Sequence, residues 1–283
     1  MIKIITDSTC DIPQSLLSQY QIEIIPSYII WNGYQYIDRV TLQPEEFYRR
    51  IQTDPIRPTS SQATEASFAQ SFRKAADEKA DEVICITLSS QMSGTYQAAL
   101  NASKAAPIPV HVVDSHGPTM MLGWQVLAAA RAREAGQTVR EILEKVEKIR
   151  SKIVLVVGME TLSYISLGGR IGDAAGWLGN LLSVKPIVSI NRDSGRIEPV
   201  TLVRTHKSML AGLFDTFKKK LSSLSSLHVA VLHGNDEPEA KLLADRVRTE
   251  LKPVELLMNI TGPVLGLHTG PGALALAGYS EVD

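Results

Sequence analysis

Cysteine is nearly absent: Cys10 and Cys85 are the only two in 283 residues, and their wide separation excludes a disulfide framework and a cysteine-based zinc cluster. A reducing cytoplasm is the simplest setting. No apolar run approaches the roughly 20 residues needed to cross a bilayer, and Met1-Ile2-Lys3 leads into a strand pattern instead of a secretory leader, so a soluble protein without a transmembrane segment is expected. Charge of one sign is also missing. Lys plus Arg number 29 against 30 Asp plus Glu, a net charge of −1 with the cations dispersed, which gives no footprint for nucleic acid. There is no phosphate-cradling Gly-x-x-x-x-Gly-Lys-Ser/Thr loop, no Gly-x-Gly-x-x-Gly after a strand, no Gly-x-Ser-x-Gly elbow and no His-Glu-x-x-His, so nucleotide binding, an ordinary serine hydrolase and a zinc protease lack their usual signals. Asp114 with His116, or Asp7 with Asp11, supply two metal ligands without a third, and no metal or other cofactor is expected.

What is present is a chain that is 44% hydrophobic and 21% charged, enough for a sizeable core and, at this length, for two domains. The first half repeats strand, hydroxyl-rich loop and helix. Residues 3–6 read as a strand ending in Asp7-Ser8-Thr9-Cys10-Asp11, with Pro13 opening a helix. Residues 82–88 form a short β-branched run suited to a strand covered on both faces, followed by Ser89-Ser90-Gln91-Met92-Ser93-Gly94 and a helix from Thr95 with Ser93 as N-cap. Residues 110–115 precede a helix over 120–135. Such alternation implies right-handed crossovers and a parallel sheet whose ligands bind beyond the carboxyl ends of the strands, where Asp7-Ser8, Ser89 to Thr95 and Asp114-Ser115 all fall. Between these units lie a strand over 22–26, a hairpin through Asn32-Gly33, a helix over 41–51 and a hydroxyl-rich loop over 57–64 ahead of another helix.

After a helix with a Thr138/Glu141 capping box the character changes. Strands are expected over 153–157, 184–190 and 197–203, the last two joined by a turn at Asp193-Ser194-Gly195-Arg196, then helices over 208–221 and 238–251 alternating with strands over 227–232 and 255–259. Residues 262–278 read as an apolar strand interrupted by a Gly-Pro-Gly bend. The expected fold is therefore α/β in two domains, a parallel-sheet domain over 1–157 and a mixed α/β domain over 158–283.

Three stretches carry site chemistry. At the start of the helix after Ser93, the free backbone N–H groups of Gly94, Thr95 and Tyr96 suit a carboxylate or phosphate, although Ser93 capping a helix is an equal reading. His268 and Thr269 beside Gly270-Pro271-Gly272 combine a ring donor with a backbone open to a ligand, or brace the loop internally. Arg170, after Gly168-Gly169, can reach a carboxylate or pair with Asp173. Met92, Met120, Met121 and the run Trp177, Leu178, Leu181, Leu182 belong to a core or wall a tunnel for a flexible aliphatic guest.

The order of Thr6-Asp7-Ser8-Thr9-Cys10-Asp11-Ile12-Pro13, Ser60-Ser61-Gln62, Ser93-Gly94-Thr95-Tyr96-Gln97, Val113-Asp114-Ser115, Gly168-Gly169-Arg170-Ile171, Lys185-Pro186-Ile187 and His268-Thr269-Gly270-Pro271-Gly272-Ala273 resembles the DegV family over nearly the whole chain. The resemblance implies a non-catalytic carrier with one long-chain fatty acid in an apolar tunnel between two domains. It also implies a partner, a separate ATP-using fatty acid kinase subunit that makes the acyl phosphate for phospholipid synthesis, and transient membrane contact. The carboxylate would be held by Ser61, Ser93, Thr95 and His268, with Ser60, Gly94, Thr269, Gly270 and Arg170 as further candidates. Kinase docking would fall on residues 191–196 and 204–207. The alternative is an esterase or acyl transferase using Ser93, His268 and Asp114 or Asp7 as nucleophile, base and orienter.

Overall fold

The computed structural model describes residues 1–180 and 184–281. From the amino end, β1 (Ile2–Asp7), α1 (Gln14–Gln19) and β2 (Glu23–Ile25) form a crossover unit, and β3 (Tyr28–Trp31) and β4 (Tyr34–Ile37) form the hairpin about Asn32-Gly33. Next come α2 (Pro44–Thr53), β5 (Thr59–Ser61), α3 (Glu65–Asp77), β6 (Glu82–Thr87), α4 (Thr95–Ser103) and β7 (Val110–Asp114). Two consecutive helices, α5 (Met120–Glu134) and α6 (Val139–Arg150), lead to β8 (Val154–Gly158), α7 (Ser163–Leu167), β9 (Lys185–Ile190) and β10 (Ile197–Val203). The chain ends with α8 (His206–Lys220), β11 (Leu227–His233), α9 (Glu237–Glu250), β12 (Glu255–Ile260), α10 (Pro263–Thr269) and β13 (Leu274–Ser280).

Three sheets result. The first is parallel throughout, in the order β2-β1-β6-β7; the second is mixed, in the order β10-β9-β8-β13-β11-β12; the third is the small antiparallel set β4-β3-β5. Because β8 pairs with β9 and β13, the chain has already entered the second sheet by residue 154, and the expected boundary after 157 cuts through a strand. Residues 59–61, read in the sequence as loop, form β5 because Ile29 and Ser60 pair across the hairpin edge.

The layers follow from which faces are apolar. Phe68 and Phe72 of α3 and Ala99 of α4 cover one face of the first sheet at Ile5, Val83 and Cys85. Met209, Phe214 and Phe217 of α8 with Leu243 and Val247 of α9 cover the outer face of the second. Helix α5 lies between the two sheets in one core with Ile4, Ile84, Leu155 and Ala277. From Met120 to Ala130 every residue is buried, so that stretch has no polar stripe, as expected for a helix enclosed by sheets. The third sheet packs with α2 and α10 through Trp31, Phe47, Ile51, Val264 and Leu267, so the helix bearing His268 rests on residues from the hairpin and α2.

Candidate functional site

A cavity of about 790 Å³ opens where the loops after the first sheet's strands face the second sheet and α10, within the roughly 300–1,000 Å³ usual for small-molecule sites. One side is apolar: Val157, Met159, Val188, Ile190 and Ile197 come from the second sheet, facing Leu88, Met92 and Pro118 from the first. The polar lining includes Ser60-Ser61-Gln62, Thr64-Glu65, Ser93-Gly94 and His268-Thr269, with Gln97, Asn101 and Arg170 beside them. An apolar side facing a polar one suits a guest with one polar end and a long aliphatic remainder.

His268 sits in the last turn of α10, and the residues from Pro263 to Thr269 are helical rather than the strand expected, packed on α2 and the hairpin, with Pro263 in the first turn, where a missing N–H costs nothing. Its Nε2 lies 3.3 Å from the Ser60 hydroxyl. Its Nδ1 is buried without a hydrogen-bond partner, pressed against Gly168, where an added Cβ would lie 2.1 Å from that nitrogen. Burial first, and the nearby Arg170 guanidinium second, push the imidazole down to about 4. It is therefore neutral at physiological pH and can offer one N–H or one lone pair to Ser60 but no positive charge of its own.

Ser93 does not cap α4. Gly94 holds the cap position, while the Ser93 hydroxyl accepts from the Thr95 N–H at 3.3 Å and is hydrogen-bonded to the Thr95 hydroxyl at 2.9 Å. A Cβ on Gly94 would stand 2.2 Å from Gln62 Oε1, so the Gln62 side chain would have to move aside to admit one. Of the expected binding residues, Ser60, Ser61, Ser93, Gly94, Arg170, His268 and Thr269 reach the cavity wall. Thr95 is fully buried behind Ser93, and Gly270 lies against the Tyr164 ring, outside the lining. Arg170 donates to the carbonyls of Met92 and Gly168 at 3.2 and 2.8 Å and not to Asp173.

Met92 is on the cavity wall, whereas Met120 and Met121 are in the core between the sheets. Trp177 is half-buried against that core; the side chains of Leu178, Leu181 and Leu182 lie outside the described residues. Ser27 joins the lining without a local sequence signal, since its place depends on how the small sheet folds over the first; Gln62, part of the Ser60-Ser61-Gln62 motif but not among the expected binding residues, lines it as well.

The groups named for acyl transfer each have other hydrogen-bond partners. Asp7 accepts from the Thr9 N–H, the Thr9 hydroxyl and the Leu88 N–H. Asp114 accepts from the backbone N–H groups of Ser90 and His116. Ser93 is engaged with Thr95 and His268 with Ser60. Among the described residues no group of three or more His, Cys, Asp or Glu side chains is arranged to hold a metal ion, and no helix is long and apolar enough to cross a membrane. The turn over 191–196 is docked rather than free: Ser89 Oγ donates to the Gly195 carbonyl at 3.1 Å and His116 Nδ1 contacts the Arg192 carbonyl at 3.0 Å.

Comparison with known proteins matches residues 1–281 to a family model described as an uncharacterised protein of the DegV family. A relative from Thermotoga maritima named a fatty acid-binding protein is 32% identical over 279 residues, covering 96% of each chain. A solved structure from Thermus thermophilus, described as fatty acid binding of a DegV family protein, superposes with a TM-score of 0.92 at 31% identity over 99% of both chains. Another, a stearic acid-binding protein from Eubacterium ventriosum, gives 0.91 at 26% identity over 98% of both.

Proposed function

The chain belongs to the DegV family, and from that premise we propose that it is a carrier holding one long-chain fatty acid, its tail in the apolar part of the cavity and its carboxylate at Ser60, Ser61, Ser93, His268 and Thr269. The observation that carries this reading is the division of the cavity into an aliphatic wall from both sheets and a small cluster of neutral hydroxyls around an uncharged imidazole. Burying an acyl chain contributes about 0.8 kcal/mol per CH₂, so affinity resides in the tail and the head group sets only its direction. Gly94 lies at the same end, and Arg170 is the one Lys or Arg on the lining among the described residues.

The carboxylate is presented to a separate ATP-using fatty acid kinase, which forms the acyl phosphate. Hydroxyl donors support such presentation because they hold an oxygen without the fixed, bidentate grip of a buried guanidinium. The acyl-transfer alternative gains nothing from the geometry, since Ser93, His268 and the two aspartates serve other partners.

Protein purified from a bacterial host is expected to release close to one long-chain acid per chain on denaturing extraction and mass spectrometry. An empty protein that also takes up no added acid would refute the carrier. With a fatty acid kinase and ATP, the loaded carrier should yield acyl phosphate while the carrier alone yields none.

A further inference from the structure

Asp38, the residue after β4, is 1% exposed. It does not line the acyl cavity, yet it grips two residues that do, Ser27 and Val264. Its backbone N–H donates to the Ser27 carbonyl at 3.0 Å. One carboxyl oxygen accepts from the Ser8 hydroxyl at 2.6 Å, and that hydroxyl accepts in turn from the Ser27 N–H at 3.1 Å. The other oxygen accepts from the Val264 N–H at 3.4 Å. The start of α10 depends on such help, because Gly262 at its cap position has no side chain to offer and the first N–H groups of a helix lack partners within it. Asp11 takes the Gly262 N–H and Asp38 the Val264 N–H.

Charge does not balance at this junction. Arg39 Nη2 donates to Asp11 at 2.5 Å and to the Ile260 carbonyl at 2.8 Å, and among the described residues no ion pair reaches Asp38. Two carboxyl groups thus share one guanidinium. Burial, opposed by the Ser8 hydroxyl and Arg39 and aided by Asp11, raises the Asp38 carboxyl to about 7. The neighbouring groups hold one charge state across neutral pH. Burial pushes the Cys10 thiol up to about 12 and the Tyr48 phenol upward, and His268, at the far end of α10, titrates near 4. Asp7, also raised by burial, interacts with Asp11 and Cys10.

We propose that Asp38 is a positioning residue that latches the cavity wall: while protonated it holds Ser27 and Val264 in place, and loss of the proton loosens the start of α10 and weakens the grip on the guest. The inference rests on the fatty acid reading above and adds to it a pH-sensing group outside the cavity. Protonated on the Ser8 side, the carboxyl still accepts from Val264 through its other oxygen and puts no charge beside Asp11. Ionised, it is a buried charge without a partner, a cost that movement towards water relieves. An ionised oxygen accepts more strongly, but at 3.4 Å the Val264 N–H offsets little of that cost, so this contact yields first. By linkage, a guest that favours the protonated form binds with uptake of a proton.

The test measures palmitate binding to delipidated protein from pH 6 to pH 8.5 by calorimetry, with urea midpoints at each pH, for wild type, Asp38→Asn and Ser8→Ala. The Asp38→Asn amide keeps an oxygen for Val264 and an N–H for Ser8 and carries no charge. Affinities of wild type and Asp38→Asn should agree within about twofold at pH 6, and wild type should fall about fivefold or more below the variant by pH 8.5. Ionisation of palmitate and titration of Asp7 are common to both proteins and cancel. The urea midpoint of Asp38→Asn should gain on wild type up to about pH 7 and then stay level, because only below that value does the folded wild type keep a proton that its unfolded chain has lost. The Ser8 hydroxyl favours the ionised form, so Ser8→Ala should move the fall in affinity to higher pH. Parallel affinity profiles in wild type and Asp38→Asn overturn the latch and leave the carrier intact, whether or not the midpoints diverge. A wild type that binds no palmitate at any pH overturns the carrier reading and this inference together. Should Asp38→Asn fail to fold, Ser8→Ala decides, and an unmoved profile overturns the latch.

Discussion

His268 couples the head-group cluster to acidity. Its ordinary value of 6.5 applies to the unfolded chain, while burial and Arg170 hold the folded value near 4. Above pH 6.5 the ring is neutral in both states and costs nothing. As pH falls from 6.5 towards 4 only the unfolded chain takes the proton, so stability declines across that window by roughly 3 kcal/mol. Asp38 acts in the opposite direction. Burial raises it to about 7, so its folded form keeps a proton that the unfolded chain loses near 3.8, and its contribution falls as pH rises between those values. Denaturant titrations at pH 7 and pH 4.5 should therefore show a smaller acid loss in His268→Gln than in wild type; an unchanged difference would mean that the imidazole is not buried neutral. Gly168→Ala is a second residue-scale expectation. Its Cβ would enter the space of His268 Nδ1, displacing the ring from Ser60, and fatty acid affinity should drop about tenfold or more, the scale of a lost hydrogen bond to a charged group. Unchanged affinity would show that Ser60 and His268 do not act as a pair.

Helix α10 is positioned by residues 220 or more places earlier. Asp11, wholly buried, accepts from Arg39 Nη2 at 2.5 Å, from the Gly262 N–H at 2.9 Å and from the Thr119 hydroxyl at 2.7 Å. Those partners belong to the end of the hairpin, the start of α10 and the start of α5. Replacing Asp11 by Ala leaves Arg39 largely enclosed without its counter-charge and should cost about 3–5 kcal/mol, read as a lowered urea midpoint; a loss under about 1 kcal/mol would assign the clamp to other contacts. This junction also explains which elements the sequence disclosed. Strands β1, β6 and β7 were legible because continuous β-branched runs mark strands covered on both faces, and the capping box of α6 is local chemistry. The β3-β4 hairpin was legible from Asn32-Gly33 alone. Strand β5 was not, since three hydroxyl residues become a strand only when β3 supplies an edge, and α10 was not, since its apolar, glycine-spaced text lacks a period and is fixed by packing on α2 and the hairpin. The same holds within the site. The hydroxyl loops and His268 were legible as types, but that Ser60 rather than Ser93 meets the ring depends on that unforeseen strand.

At the scale of the whole molecule, the contacts of α5 with both larger sheets lead to the expectation that the two unfold as one unit, despite a length at which separate domain transitions are common. Its Trp124 indole N–H donates to the Ala277 carbonyl of β13 at 3.1 Å, and Arg131 holds Glu255 of β12 through two bonds of 2.8 and 2.6 Å. Just before its amino end, the Thr119 N–H donates to the Thr9 carbonyl at 2.8 Å, next to the first sheet. The helix cannot leave one sheet without exposing apolar surface to which the other contributes. Because the cavity wall also draws on both sheets, a ligand that fills it binds only the state in which both are folded. Fatty acid should then stabilise the entire transition by mass action, about 2.7 kcal/mol at a free concentration one hundredfold above its dissociation constant. Delipidated protein heated with and without palmitate, followed by far-ultraviolet circular dichroism and by tryptophan fluorescence, is expected to give one coincident transition that moves upward as a unit. Trp31 in the hairpin and Trp124 in α5 report from different parts of the fold, so a ligand shift confined to one probe, or two separated transitions in the free protein, would refute the cooperative coupling through α5.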